Sequence, residues 1–258
     1  MGTNRENGSL YTKVENGIAT VEFGHPASNS FVAELLERLT EEFHKLSENS
    51  KVSLIVLKSE GDRAFCAGAS FDELKAVADE VEGKAFFSGF AHVINAMRHC
   101  KKIILGRVQG KAVGGGVGLI AACDYVYATE AAAIRLSELT LGIAPLVIAP
   151  AVERKIGKAG LAALSLAPTE WKSAYWAKEK GLFTEVLGTS KQMDKELYFH
   201  TQKLASFNPE ALAALKQTLW EGTDHWDTLL IERAGISGKL VRSAHTKQAL
   251  AASKKIKQ

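Results

Sequence analysis

The chain has 258 residues, 46% of them apolar and 24% charged. That composition suits a globular protein with one large core and excludes disorder, collagen and coiled coil. A formal charge of +3, from 32 basic and 29 acidic residues, is too small to argue for a nucleic-acid or membrane partner, although it permits an anionic small ligand.

The length fits one large domain, or one domain with a small helical addition, better than two equal ones. The longest apolar stretch, Leu139 to Val152, is interrupted by Gly142, Pro145 and Pro150, and nothing approaches the roughly 20 apolar residues of a membrane-crossing helix. The opening residues lack the apolar core of a signal peptide, and Glu6 stands where a myristoylation signal needs Ser or Thr. Cys66, Cys100 and Cys123 lie far apart without CxxC spacing or nearby histidines. Neither a disulfide framework nor a metal site is expected, and a cytoplasmic setting is.

In chain order, two alternating runs between Leu10 and Phe23 flank Asn16-Gly17, a pair suited to the positive backbone angles of a two-residue hairpin turn. Val32, Leu35, Leu36, Leu39, Phe43 and Leu46 recur at helical spacing, predicting an amphipathic helix with Ser30 as its cap. Val52 to Leu57 and Ile103 to Val108 read as buried strands, on either side of a helix stripe formed by Phe86, Phe90, Val93 and Met97. Glycines then crowd between Gly114 and Gly118, ahead of a short apolar helix and the strand-like DYVYA.

After about Gly188 helical patterns replace strands, which predicts a boundary there. Asn208, Pro209 and Glu210 supply a capping side chain, a preset first helical residue and a favourable charge for a helix through Leu219 and Trp220. Lys247, Lys254, Lys255 and Lys257 read as a solvated tail.

Two segments expose backbone. AVGGGVG, Ala112 to Gly118, opens a helix directly after a strand, so its N–H groups would face an oxyanion at the helix N-terminus. The spacing is neither GxGxxG nor a P-loop, and in isolation tight packing explains these glycines. AFCAGASFDELK, Ala64 to Lys75, likewise places small residues before a helix. Two such N–H donors converging on one carbonyl oxygen would form an oxyanion hole.

These segments, continued by SELTLGI and AYWAKEKGLFTEV in the same order, resemble the crotonase, or enoyl-CoA hydratase/isomerase, superfamily over nearly the whole chain. The resemblance implies a mixed α/β fold: a spiral core of repeated β-β-α units over residues 1–188 and a helical assembly subdomain over 189–258, forming a homotrimer or a dimer of trimers. It implies oxyanion donors at Ala69 and Gly115. It also implies contacts to coenzyme A, mostly through main chain, at Cys66, Ala67, Gly68, Ser70 and Gly114, and no cofactor beyond the coenzyme A moiety of the substrate.

Hydratases of the family carry two carboxylates. Glu138 matches the second, whereas the first falls on Gly118, which can neither orient water nor move a proton. Family isomerases often keep only the second. The resemblance thus implies conversion of an enoyl-CoA thioester through an enolate, with Glu138, near Leu141 and Ile143, moving the proton at a raised pKa; hydration and double-bond migration both stay open. The alternatives are a non-catalytic acyl-CoA-binding protein and an RNA-binding relative using the lysine-rich end.

Plainer readings stand beside these. Without the resemblance Glu138 is a surface carboxylate. Asp124 is structural, Asp72 and Glu73 favour a helix dipole before they substitute for the missing acid, Phe86, Phe87 and Phe90 belong to the core before an acyl pocket, and His92 and His99 are structural.

Overall fold

The computed structural model describes residues 5–252. After a 3-10 turn at Arg5–Asn7 come strands β1 (Ser9–Glu15) and β2 (Ile18–Gly24), helix α1 (Ala33–Glu48), strand β3 (Leu54–Ser59), helices α2 (Phe71–Ala76) and α3 (Glu80–His99), and strands β4 (Ile103–Val108) and β5 (Ala112–Val113). Helix α4 (Gly115–Ala122), strands β6 (Tyr125–Thr129) and β7 (Ala133–Arg135), a 3-10 turn at Glu138–Leu141 and helix α5 (Ala149–Ser165) follow. Strand β8 (Lys172–Ser173), helix α6 (Ala174–Glu179) and strand β9 (Glu185–Leu187) precede four helices, α7 (Ser190–Ala205), α8 (Pro209–Leu219), α9 (Trp226–Val241) and α10 (Ala244–Ala252).

The opening hairpin forms as the sequence predicts. Asn16 and Gly17 hold φ of 50° and 77°, and Glu15 pairs with Ile18 across the turn. The predicted strands, the Phe86 helix and the Asn208-capped helix also form, the Asn208 side chain accepting the Glu210 N–H at 2.9 Å. One local reading is corrected. Ser30 does not cap α1, whose N-cap is Val32 without a side-chain bond; its hydroxyl instead lies 3.1 Å from His25 Nδ1. The Ala33 N–H is satisfied by Glu73 Oε2 at 2.8 Å, from a residue 40 positions away. Glu73 thereby ties the start of α1 to α2.

The strands form a six-stranded sheet ordered β1-β2-β3-β4-β6-β9 and a three-stranded sheet ordered β5-β7-β8. The chain passes repeatedly from the large sheet to the small one and then into a helix, as in β4, β5, α4. Single bridges between Phe31 and Ala69, and between Cys66 and Ala112, bring the segments after β2 and β3 into the same pattern. This is the β-β-α spiral of a crotonase-like fold. Because β3 and β4 are covered on both faces, they are buried nearly throughout: the main core fills one face, while Leu54, Val56 and Leu105 pack against Met193, Leu197 and Leu212 of α7 and α8 on the other.

Helix α9 lies along α3 at a close approach, Gly83 against Gly238. A Cβ on Gly238 would sit 2.5 Å from the Lys84 backbone nitrogen. Behind the sheets, buried Asp124 accepts hydrogen bonds from Lys216 Nζ at 2.7 Å, Trp220 Nε1 at 2.8 Å and the Ile104 N–H at 2.8 Å. That network pins α8 to the start of β4.

Candidate active site

The site is assembled by three turns of the spiral. After β3 the chain enters the Cys66–Ser70 loop, held by the Phe31–Ala69 bridge. The Phe31 N–H donates to the Gly68 carbonyl at 2.8 Å and the Ser70 N–H to the Phe31 carbonyl at 2.7 Å. Because successive peptide groups of an extended chain face opposite ways, the Ala69 N–H points away from this pairing. After β5 the chain turns at Gly114, whose φ of 52° favours glycine, and starts α4 at Gly115. Like other first-turn amides, the Gly115 N–H has no carbonyl four residues back to bond. Among the described residues neither the Ala69 nor the Gly115 N–H has a backbone acceptor, and both residues line one cavity.

That cavity measures about 800 Å³, large enough for an elongated ligand. Ala67, Gly68, Ser70, Gly114 and Glu138 also line it, so most sequence-predicted site residues, distant in the chain, meet at one place. Cys66 is the exception. It is fully buried, its Sγ accepts the Gly68 N–H at 3.3 Å, and burial pushes the thiol up to about 12. It supports the loop from behind.

Each neighbouring glycine makes room for something specific. A Cβ on Gly114 would meet Glu138 Oε1 at 2.8 Å, and on Gly116 the Cys66 Cβ at 2.7 Å. On Gly115 it would overlap the Phe90 ring. The glycines therefore let the Glu138 carboxyl, the Phe90 ring and the Cys66 loop close around the α4 N-terminus.

Glu138 begins the 3-10 turn after β7. Its Oε2 is buried without a hydrogen-bond partner among the described residues. Burial raises its pKa from 4.5 to about 7, opposed by a hydrogen bond from its own backbone N–H. A carboxyl so placed exchanges a proton readily in both directions near neutral pH.

Gly118, on α4, faces Ile148. A Cβ there would meet Ile148 Cγ2 at 2.4 Å and its Cβ at 2.7 Å. Ile148 occupies that space and itself lines the cavity, as do Ile143, Leu146 and Val147. Phe87 and Phe90 do so too, so these two are cavity wall as well as core, whereas Phe86 is core alone.

Sequence reasoning missed several lining residues, Arg135, His25 and Ser237 among them. Arg135 stacks its guanidinium 4.5 Å from the Trp171 ring centre, and its buried Nε has no hydrogen-bond partner among the described residues. His25 and Ser237 also border the cavity. None belongs to a motif; their positions come from the packing of β7, of the loop after β2, and of α9.

A family model described as enoyl-CoA hydratase/isomerase matches residues 13–253. A "Probable enoyl-CoA hydratase" of Rhizobium meliloti is 30% identical over 226 residues, covering 83% of this chain and 85% of that one. A Bacillus subtilis relative of hydratase/isomerase type is 33% identical over 139 residues, so this chain spans about half of it (52%). The solved enoyl-CoA hydratase of Bacillus halodurans superposes with a TM-score of 0.87 at 20% identity, covering 94% of this chain and 99% of that one. With the fold and the family match in agreement, the chain belongs to the enoyl-CoA hydratase/isomerase family.

Proposed function

We propose that the protein moves a carbon–carbon double bond within an enoyl-CoA thioester. Glu138 takes a proton from one carbon of the acyl chain, the electron pair delocalises onto the thioester oxygen, and the N–H groups of Ala69 and Gly115 hold that charge. Glu138 then returns the proton to another carbon as the enolate collapses. Each oxyanion donor contributes about 3 to 4 kcal/mol to such a step. The main chain at Ala67, Gly68, Ser70 and Gly114 holds the coenzyme A part, with Cys66 bracing the loop, and nothing beyond that moiety is required.

One observation supports migration over hydration: Ile148 packs against Gly118, so that no carboxyl stands at that position, and Glu138 is the buried carboxyl beside Gly114. Hydration needs water activated on one side while a proton is delivered to carbon, and an isoleucine does neither. Assembly as a homotrimer or a dimer of trimers belongs to the same proposal, and light scattering tests it. The RNA-binding alternative rests on Lys254, Lys255 and Lys257, which lie outside the described residues.

The test supplies a β,γ-enoyl-CoA and its α,β isomer, each in deuterated water, to wild type and Glu138→Gln. Isomerisation with deuterium entering the acyl chain, lost in the variant, is the expected result. Water addition to the α,β isomer as the faster reaction refutes migration. Tight binding without turnover across chain lengths means a non-catalytic acyl-CoA-binding protein instead.

A further inference from the structure

We infer that Ser237 reads a neutral oxygen on the acyl chain, so that the preferred thioester carries a hydroxyl or keto group beyond the reacting carbons. The inference rests on the coenzyme A thioester reading above and names the substrate class of that same cavity.

Ser237 lies in α9, is 1% exposed, and lines the cavity, yet its Oγ has no hydrogen-bond partner among the described residues. A buried serine inside a helix ordinarily bonds the carbonyl four residues back; this one does not. Burying an unpaired hydroxyl is unfavourable, and alanine would fill the position at no such cost. The helix is also held firmly in place. Gly238 abuts Gly83 and Lys84 of α3, and one turn earlier Arg233 donates from Nη1 to the Leu146 carbonyl at 3.3 Å. The apolar wall residues Phe87, Phe90, Val147 and Ile148 line the same cavity.

The surroundings favour a neutral group. Arg233, one turn earlier on α9, is engaged by the Leu146 carbonyl, and the four wall residues are apolar. A hydroxyl or ketone oxygen exchanges one good hydrogen bond with Ser237, which can donate or accept, whereas a carboxylate beside the apolar residues would also carry a desolvation cost.

Binding separates this inference from its parent. Hexanoyl-CoA, its γ-oxo and δ-oxo derivatives, and ω-hydroxyhexanoyl-CoA are titrated calorimetrically into wild type, Ser237→Ala and Glu138→Gln. Expected is a preference of about tenfold for one oxygenated thioester over hexanoyl-CoA in wild type, retained in Glu138→Gln and collapsing toward unity in Ser237→Ala. The alanine variant removes only an unpaired hydroxyl, and its melting temperature checks that it is folded. Hexanoyl-CoA binding with no preference, or with an equal preference in Ser237→Ala, overturns the role of Ser237 and leaves the thioester reading standing. Failure of every thioester to bind wild type overturns both.

Discussion

Replacing Glu138 by glutamine changes the pH dependence of stability as well as turnover. In the folded protein the Glu138 carboxyl titrates near 7, raised by burial from 4.5; unfolding returns it to water and its ordinary value. Between these values the folded state holds a proton that the unfolded state has released, so stability falls as pH rises through that window. Below it, both states are protonated and the group is neutral in the balance. Above it, the folded protein carries a buried carboxylate. At about 1.4 kcal/mol per pH unit, the cost reaches about 3 kcal/mol once pH exceeds 7. Glutamine, with nearly the same shape and no charge, escapes that cost. Urea unfolding at pH 4.5 and pH 8 should therefore show Glu138→Gln gaining on wild type by up to about 3 kcal/mol as pH rises, on the same basis. Turnover has the opposite sign in wild type: a base must be ionised, so kcat/KM climbs through about pH 7 and then levels. A stability difference between the two proteins that does not change with pH would refute the buried-carboxyl reasoning.

Gly118→Ala drives a methyl to within 2.4 Å of Ile148 Cγ2; it should cost about 1 to 3 kcal/mol by overpacking, and Gly118→Ala with Ile148→Ala should cost less than the two single changes added, as thermal melts will show. Asp124→Ala strands the Lys216 ammonium, whose side chain is 2% exposed, and should destabilise by about 3 to 5 kcal/mol in urea unfolding, because a buried cation without its partner is the larger part of that cost. The thiols of Cys66 and Cys123, both pushed up to about 12 by burial, should resist alkylation at pH 8 until the chain is unfolded, which mass spectrometry after iodoacetamide treatment measures. Gly115→Ala, whose Cβ would overlap the Phe90 ring, should lower turnover of a β,γ-enoyl-CoA more than it lowers the melting temperature, since it displaces the amide at the site.

Local chemistry was legible in the chain itself wherever the deciding contacts are near in sequence. Asn16-Gly17 declares its hairpin because both residues tolerate positive φ, Asn208-Pro209-Glu210 its helix start because cap, ring and charge act within one turn, and the apolar stripe from Leu35 to Leu46 its buried face because side chains three and four apart share one side of a helix. The glycine cluster and the Glu138 segment were legible as motifs, and through them the family. Other features depended on residues far apart in the chain. Glu73, not Ser30, satisfies the first amide of α1, since a carboxylate from another helix reaches it first. Ile148 fills the space left at Gly118, Phe87 and Phe90 serve as wall as well as core, and Cys66 stands behind the loop instead of facing the ligand. Ser237 joins the cavity only because two glycines let α9 press against α3. Spacing along a chain specifies which face a side chain occupies; which neighbour meets that face is decided when distant segments pack.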